Sequence, residues 1–253
     1  MSEYLKFLVY AQPGAGKTFL MGTADGDPRL TPALLIDTEG GSLTIRGTKD
    51  IDVVRVHDYG EMVKLIHHLQ IPDHSKCKHR IWKSLMLDSF TEYQKSIMQE
   101  IVRKSYAEKP ETRDPDVPAM HDWNKNAERC RKTIRALRDI PSVHLFVTCL
   151  EKENKNENTG IVKILPSLPG QLANEIAGFL DIVGYLRVVK VEEKGADGKK
   201  KAEVIRRELV VQPITNAVAK DRSDLLGDIV ISPTLPDMLD TALAEIKKQD
   251  KKK

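Results

Sequence analysis

Apolar and polar positions along the chain alternate between short continuous runs and longer periodic stretches. Residues 5–11 (LKFLVYA) form an apolar run that ends at a glycine-rich turn, as a strand buried on both faces of a parallel sheet does. Ala33–Thr38 (ALLIDT), Ser84–Asp88 (SLMLD) and Val143–Leu150 (VHLFVTCL) read the same way, and Ile51–Val56 alternates in part. Helical spacing lies between them. Lys17 to Ala24 is one such stretch, and Met62, Leu65, Ile66 and Leu69 mark another within 60–70. Phe90, Tyr93, Ile97 and Ile101 mark a long helix, and Trp123, Ala127, Cys130, Ile134 and Leu137 a further one. Residues 107–122, with three prolines, and 151–160 (EKENKNENTG) read as polar loops.

Beyond residue 180 the period changes to two. Asp181–Val191 and Glu203–Gln212 alternate around GADGKK, the signature of an antiparallel hairpin, and Thr234–Lys247 reads as a closing helix. Strand and helix alternate through residue 150, which predicts an α/β core: a mostly parallel sheet with helices on both faces and the hairpin at one edge. No repeat or linker divides the chain, so residues 1–247 read as a single domain and 248–253 as a basic disordered tail.

Composition narrows the partners little. The chain of 253 residues is 30% charged, yet its net charge is only +3, so a polyanion site would have to come from local clustering. Three cysteines without a CxxC pair suggest a reducing compartment. No apolar run approaches the roughly 18 residues of a membrane span. The first motif begins too early to leave room for a signal peptide. The expected location is cytoplasmic, with no membrane partner.

The chemistry is concentrated at residues 11–18, AQPGAGKT, which match GxxxxGK[ST] except for Ala11. Glycines at 14 and 16 let consecutive N–H groups turn inward onto a phosphate chain, and the following helix adds its positive end. Gln12, Pro13, Gly14, Ala15, Gly16, Lys17, Thr18 and Phe19 are the expected nucleotide-binding stretch, with Lys17 on the β- and γ-phosphates and the Thr18 hydroxyl on Mg²⁺. The expected ligands are ATP and Mg²⁺. Such a loop needs a carboxylate at the end of a neighbouring strand, and Asp88 ends SLMLD. An Asp there could equally cap the helix that starts at Phe90. Ser89 occupies the position where many ATPases carry the catalytic Glu. The water-activating base is therefore sought elsewhere: Glu39, at the carboxyl end of ALLIDT, with Asp37 as its competitor.

A P-loop without the adjacent Glu, a Glu ending the second strand and Asp-Ser ending the fourth run resemble RecA-like recombinase ATPases. Within them the chain is similar to the short phage nucleotide-binding ATPases, some of which act in single-strand annealing. The phrases DWNKNAERCRKTIRALRDIP, LPSLPGQLANEIAGFLDIVGYL and AKDRSDLL carry this likeness over essentially the whole chain. It implies a RecA-like P-loop NTPase core. It also implies that Thr148 senses the γ-phosphate, although a buried strand Thr would look the same. Lys220 and Arg222 would reach a neighbouring subunit's phosphates, the alternative being a surface basic pair. The partners implied are further copies of the chain in a ring or filament with ATP at subunit interfaces, single-stranded DNA, and a single-strand-binding protein. In such proteins the loop after the sensor strand contacts DNA, which here offers Lys152, Lys155 and Lys163 but no stacking aromatic.

Other signals are weaker. His67, His68, His74, Cys77 and His79 lack the spacing of a zinc site, and Arg129, Arg131, Lys132, Arg135 and Arg138 read as a solvated helix face before a DNA track. The expectation is an ATPase stimulated by single-stranded DNA and active in strand annealing or recombination. A nucleotide-dependent switch or scaffold that controls a protein partner without DNA is the alternative. A small-molecule kinase, which would need an acceptor site and a lid, ranks last.

Overall fold

Each buried run of the sequence becomes a strand whose alternate side chains enter two different cores. The structure, a computed structural model, describes residues 3–71, 81–194, 201–214 and 216–244. Strand β1 (Lys6–Ala11) leads into α1 (Lys17–Gly22), β2 (Ala33–Asp37), a 3₁₀ turn (Ser42–Ile45), β3 (Ile51–Arg55) and α2 (Tyr59–Leu69). There follow β4 (Ser84–Asp88), α3 (Phe90–Glu108), α4 (Met120–Arg138), β5 (His144–Lys155), β6 (Val162–Pro166) and α5 (Leu172–Phe179). Strands β7 (Ile182–Lys194), β8 (Lys201–Val210), β9 (Lys220–Asp221) and β10 (Ile229–Ile231) precede α6 (Leu235–Ala242).

Among the described residues the sheet order is β10-β8-β7-β1-β5-β4-β2-β3, with β6 on β5 and β9 on β7. The pairs from β3 through β7 are parallel, because a helix or a long connection carries the chain back between them. On one face Leu8, Tyr10, Leu85, Leu87, Leu145 and Val147 meet α2 to α5. On the other, Phe7, Val9, Leu35, Met86 and Phe146 meet α1 and α6. That two-sided burial is why these strands read as continuous apolar runs. Phe90 and Tyr93 of α3 are fully buried, and the Tyr93 hydroxyl lies 3.0 Å from Thr133 Oγ1 of α4. Truncation of either ring to Ala would cost about 3–5 kcal/mol.

Two antiparallel arms rise beyond the carboxyl edge of the sheet, one on each side of β1. The first corrects the loop expected at 151–160. Strand β5 does not stop at Leu150 but continues to Lys155 and pairs with β6, from Glu151 opposite Pro166 to Lys155 opposite Val162. The polar composition of residues 151–160 concealed it, because the outer part of the arm is held by ladder hydrogen bonds, while β6 supplies the apolar Leu165 to the core. The second arm is the expected hairpin: β7 leaves β1 at Tyr185 and pairs with β8 as far as Lys194 opposite Lys201. Its turn, GADGKK, lies outside the described residues, as do residues 72–80 with His74, Cys77 and His79, and the tail. Other bounds shift modestly. Helix α3 runs to Glu108 and α4 starts at Met120, which shortens the loop expected over 107–122. The closing helix is described as Leu235–Ala242. No helix among the described residues is long and apolar enough to cross a membrane.

Candidate nucleotide site

The turn from β1 into α1 is built on two glycines with left-handed backbone, Gly14 (φ 76°) and Gly16 (φ 103°), a conformation that side-chain-bearing residues resist. Lys17, the first helical residue, is buried, and its Nζ donates to the carbonyl of Gln12 at 3.0 Å and of Ala11 at 3.4 Å. Burial lowers its pKa, and the charges of Asp88 and Glu39 act against that shift. A buried ammonium held by two backbone carbonyls keeps its charge available to an anion brought to the loop.

Asp88 ends β4, one strand beyond β5. Its Oδ2 accepts from the Thr18 hydroxyl at 2.6 Å, and its Oδ1 accepts from the Thr148 hydroxyl of β5. The helix-capping alternative falls to another residue. Ser89 is the N-cap of α3, its Oγ accepting from Glu92 N at 3.4 Å, so the Asp88 carboxylate faces the loop. Asp37, the competitor to Glu39, is buried, and its Oδ1 accepts from the backbone N–H of Glu39 at 3.0 Å and Gly40 at 2.6 Å. That carboxylate holds the turn that presents Glu39, which is itself exposed.

The other expected residues do not converge on the loop. Lys220 Nζ is held by the carbonyls of Ala177 and Leu180 at the end of α5, where burial lowers its pKa. Arg222 is exposed and donates to Asp181 Oδ1 at 2.8 Å. Strand β9 pairs with the start of β7, so both cations stand at the amino edge of the sheet. That is about 20 Å from their own P-loop at the strand rise of ~3.3 Å per residue. Of the arm lysines, Lys152 is half-buried, with Nζ on the Leu168 carbonyl and a pKa lowered by burial. Lys155 and Lys163 are exposed, but Lys163 opposes Asn154, so the two lie on opposite faces of the arm. The basic row on α4 is only partly solvated. Arg131 pairs with Glu175, and Arg129 lies 3.4 Å from Glu100 and over the Tyr59 ring, which fastens α4 to its neighbours. Arg135, over the Phe179 ring, and Lys132 are exposed.

Two residues near the loop went unnoticed in the sequence. Arg207 of β8 donates from Nε to the Ala15 carbonyl at 3.0 Å and lies 5.0 Å over the Phe19 ring. Glu151, the first residue of the β5–β6 pairing, adds to the negative charge felt by Lys17. Its Oε2 is buried with no hydrogen-bond partner among the described residues. Alternation along β8 gives no hint of the first. The second could have been suspected from its place three residues after Thr148.

The donor set fits magnesium: a hydroxyl and a carboxylate converge beside a glycine-rich turn, the hard oxygen ligands that ion prefers. Strand, turn, buried lysine and metal-side carboxylate define a P-loop ATPase. A family model described as an AAA domain (AAA_24) matches residues 3–223, and the chain belongs to that family. A search of curated proteins found no match. Solved structures that resemble it include the RadB recombinase, at 15% identity over 81% of this chain and 79% of that one, with TM-score 0.40. The ATPase EscN of the enteropathogenic E. coli type III secretion system aligns at 16% identity over 74% of this chain and 43% of its own, TM-score 0.41. The Legionella pneumophila ATPase DotB aligns at 13% identity over 98% and 54%, TM-score 0.35. The chain thus spans about half the length of the last two, and at these scores the likenesses carry no conclusion about it.

Proposed function

We propose that this ATPase acts on single-stranded DNA, in strand annealing or recombination, and that the β5–β6 arm is its DNA-contacting element. The observation that carries the reading is one of continuity. The strand whose Thr148 hydroxyl holds Asp88 is the same strand that becomes the arm, with four residues between Thr148 and the exposed segment beginning at Glu153. A change of charge at Asp88 is therefore transmitted along one β-strand to a projecting ladder that carries Lys155 and Lys163.

In this reading residues 12–19 bind the nucleotide, Lys17 neutralises its terminal phosphates, and Thr18 and Asp88 hold Mg²⁺. When bound, the ion draws charge from the phosphate oxygens. Glu39 accepts the proton of the attacking water, and Thr148 keeps the Asp88 carboxylate aimed at the loop. Arg222, exposed although paired with Asp181, is better placed than Lys220 for a trans role. Its place at the amino edge means that it serves a neighbour only in head-to-tail assembly. Lys152, committed to Leu168, positions the arm instead of touching DNA.

A second reading has its own support. The arm's lysines are matched by Glu151, Glu153 and Glu157, and no aromatic residue lies among residues 151–166, a composition equally suited to a protein partner. The protein would then be a nucleotide-dependent switch. ATP hydrolysis measured with and without a single-stranded oligonucleotide separates the two. Stimulation supports the DNA reading, and an unchanged rate with no oligonucleotide binding in the presence of a non-hydrolysable ATP analogue rejects it.

A further inference from the structure

The metal-side carboxylate fixes which way a nucleotide runs across the loop. Asp88 is on β4, two strands from β1 on one flank, and Arg207 is on β8, two strands from β1 on the other. The phosphates nearest the metal therefore lie toward β4, and the remainder of the nucleotide runs toward β7 and β8. On that flank a groove of about 370 Å³ opens between Gln12–Ala15 and Tyr185–Val188, within the range of small-ligand clefts. Val188, which lines the groove, is the cross-strand partner of Arg207, so Arg207 stands next to the groove on β8.

Three contacts hold the Arg207 guanidinium beside the loop. Its Nε donates to the Ala15 carbonyl, its Cζ lies 5.0 Å over the Phe19 ring, and Gly16 lets it approach so closely that a Cβ there would stand 2.5 Å from Nε. Arg207 and Phe19 nevertheless remain exposed, Phe19 by half of its surface, so both are accessible to a ligand on the loop. We propose that Arg207 and Phe19 form the nucleobase shelf of the site, the base stacking on the guanidinium face opposite the ring. This rests on the P-loop reading and adds to it a residue from the second arm. Planar cations and aromatic rings stack on any base, so the shelf contributes affinity for nucleosides and little choice among bases.

The test compares ATP with inorganic tripolyphosphate, both with Mg²⁺, by calorimetric titration of the full chain. Arg207→Ala and Phe19→Ala should each weaken ATP binding by between about fivefold and a hundredfold, the range for removing one base stack. Tripolyphosphate affinity should stay within about twofold of wild type, because phosphate recognition belongs to residues 14–18. Arg207→Lys, which keeps the charge and loses the plane, should behave like Arg207→Ala. Equal losses on both ligands would assign Arg207 to phosphate or to loop structure and overturn the shelf, as would unchanged ATP binding. Wild-type protein that binds neither ligand would overturn the P-loop reading itself, and the shelf with it.

Discussion

Two arms flank the P-loop, and they are built on opposite terms. The β5–β6 arm continues β5, is polar along that strand from Glu151 to Lys155 while β6 turns Leu165 into the core, and meets the site at its base through Thr148 and Glu151. The β7–β8 arm stands beside the loop and reaches over it with Arg207. It is also braced internally: Arg187 and Arg206 both bind Glu208, which is buried and held below the usual carboxylate range chiefly by Arg187. Under the proposals above, one arm meets the metal end of a nucleotide and the other its far end. Both are extensions of strands that pair with β1 in the core, one rising from β5 and one from β7.

The most severe challenge to this picture removes the group between the arms. Lys17→Ala should eliminate detectable ATP binding in a calorimetric titration, and with it any nucleotide dependence of either arm. Unchanged affinity would remove the P-loop from the function. Next in size is Glu39→Gln, which keeps shape and loses the proton acceptor. Turnover should fall by about 10²–10⁴-fold while ATP binding persists. Wild-type turnover would transfer the role to another carboxylate, and Glu151, at the foot of the first arm, is the one to change next.

A smaller effect separates the arms themselves. Lys155→Ala with Lys163→Ala should weaken single-strand binding and reduce its salt slope by about 0.7 for each phosphate no longer neutralised. ATP affinity measured without DNA should be unaffected. An identical slope in the double variant would take the DNA site off this arm. The mildest change is Tyr10→Phe. The Tyr10 hydroxyl lies 2.8 Å from the Val218 carbonyl and 3.1 Å from that of Ile164 in β6, so its removal should cost about 1–2 kcal/mol in urea denaturation. Proteolysis should then rise in the first arm and not the second. Equal sensitivity in both would deny that the tether is specific.

Legibility in the sequence followed burial. LKFLVYA, ALLIDT and SLMLD announced themselves because strands covered on both faces must be apolar, and the P-loop because its backbone demands Gly14 and Gly16. The parallel pairing of β4 and β5 then brought Asp88 and Thr148 together, and the turn after β1 carried Thr18, at the start of α1, to the same carboxylate. What stayed hidden is what burial does not mark. The outer part of the first arm, residues 153–160, is a run of exposed polar residues, and Arg207 is one charged position among many in a solvent-facing hairpin. Lys220, expected to be free, is anchored by carbonyls of α5, a helix the apolar pattern did not single out.

The register of β1 has a consequence in time. Its neighbours lie far along the chain, Leu145 opposite Lys6 and Ile182 opposite Phe7. The strand that supports the P-loop therefore has no partner in the sheet until the chain has been made as far as β5. At about 5–20 residues per second, that leaves the motif without a scaffold for roughly 7–30 s of synthesis. Nascent chains halted before β5 should not retain ATP, however complete their signature, because the loop waits for strand partners encoded far downstream.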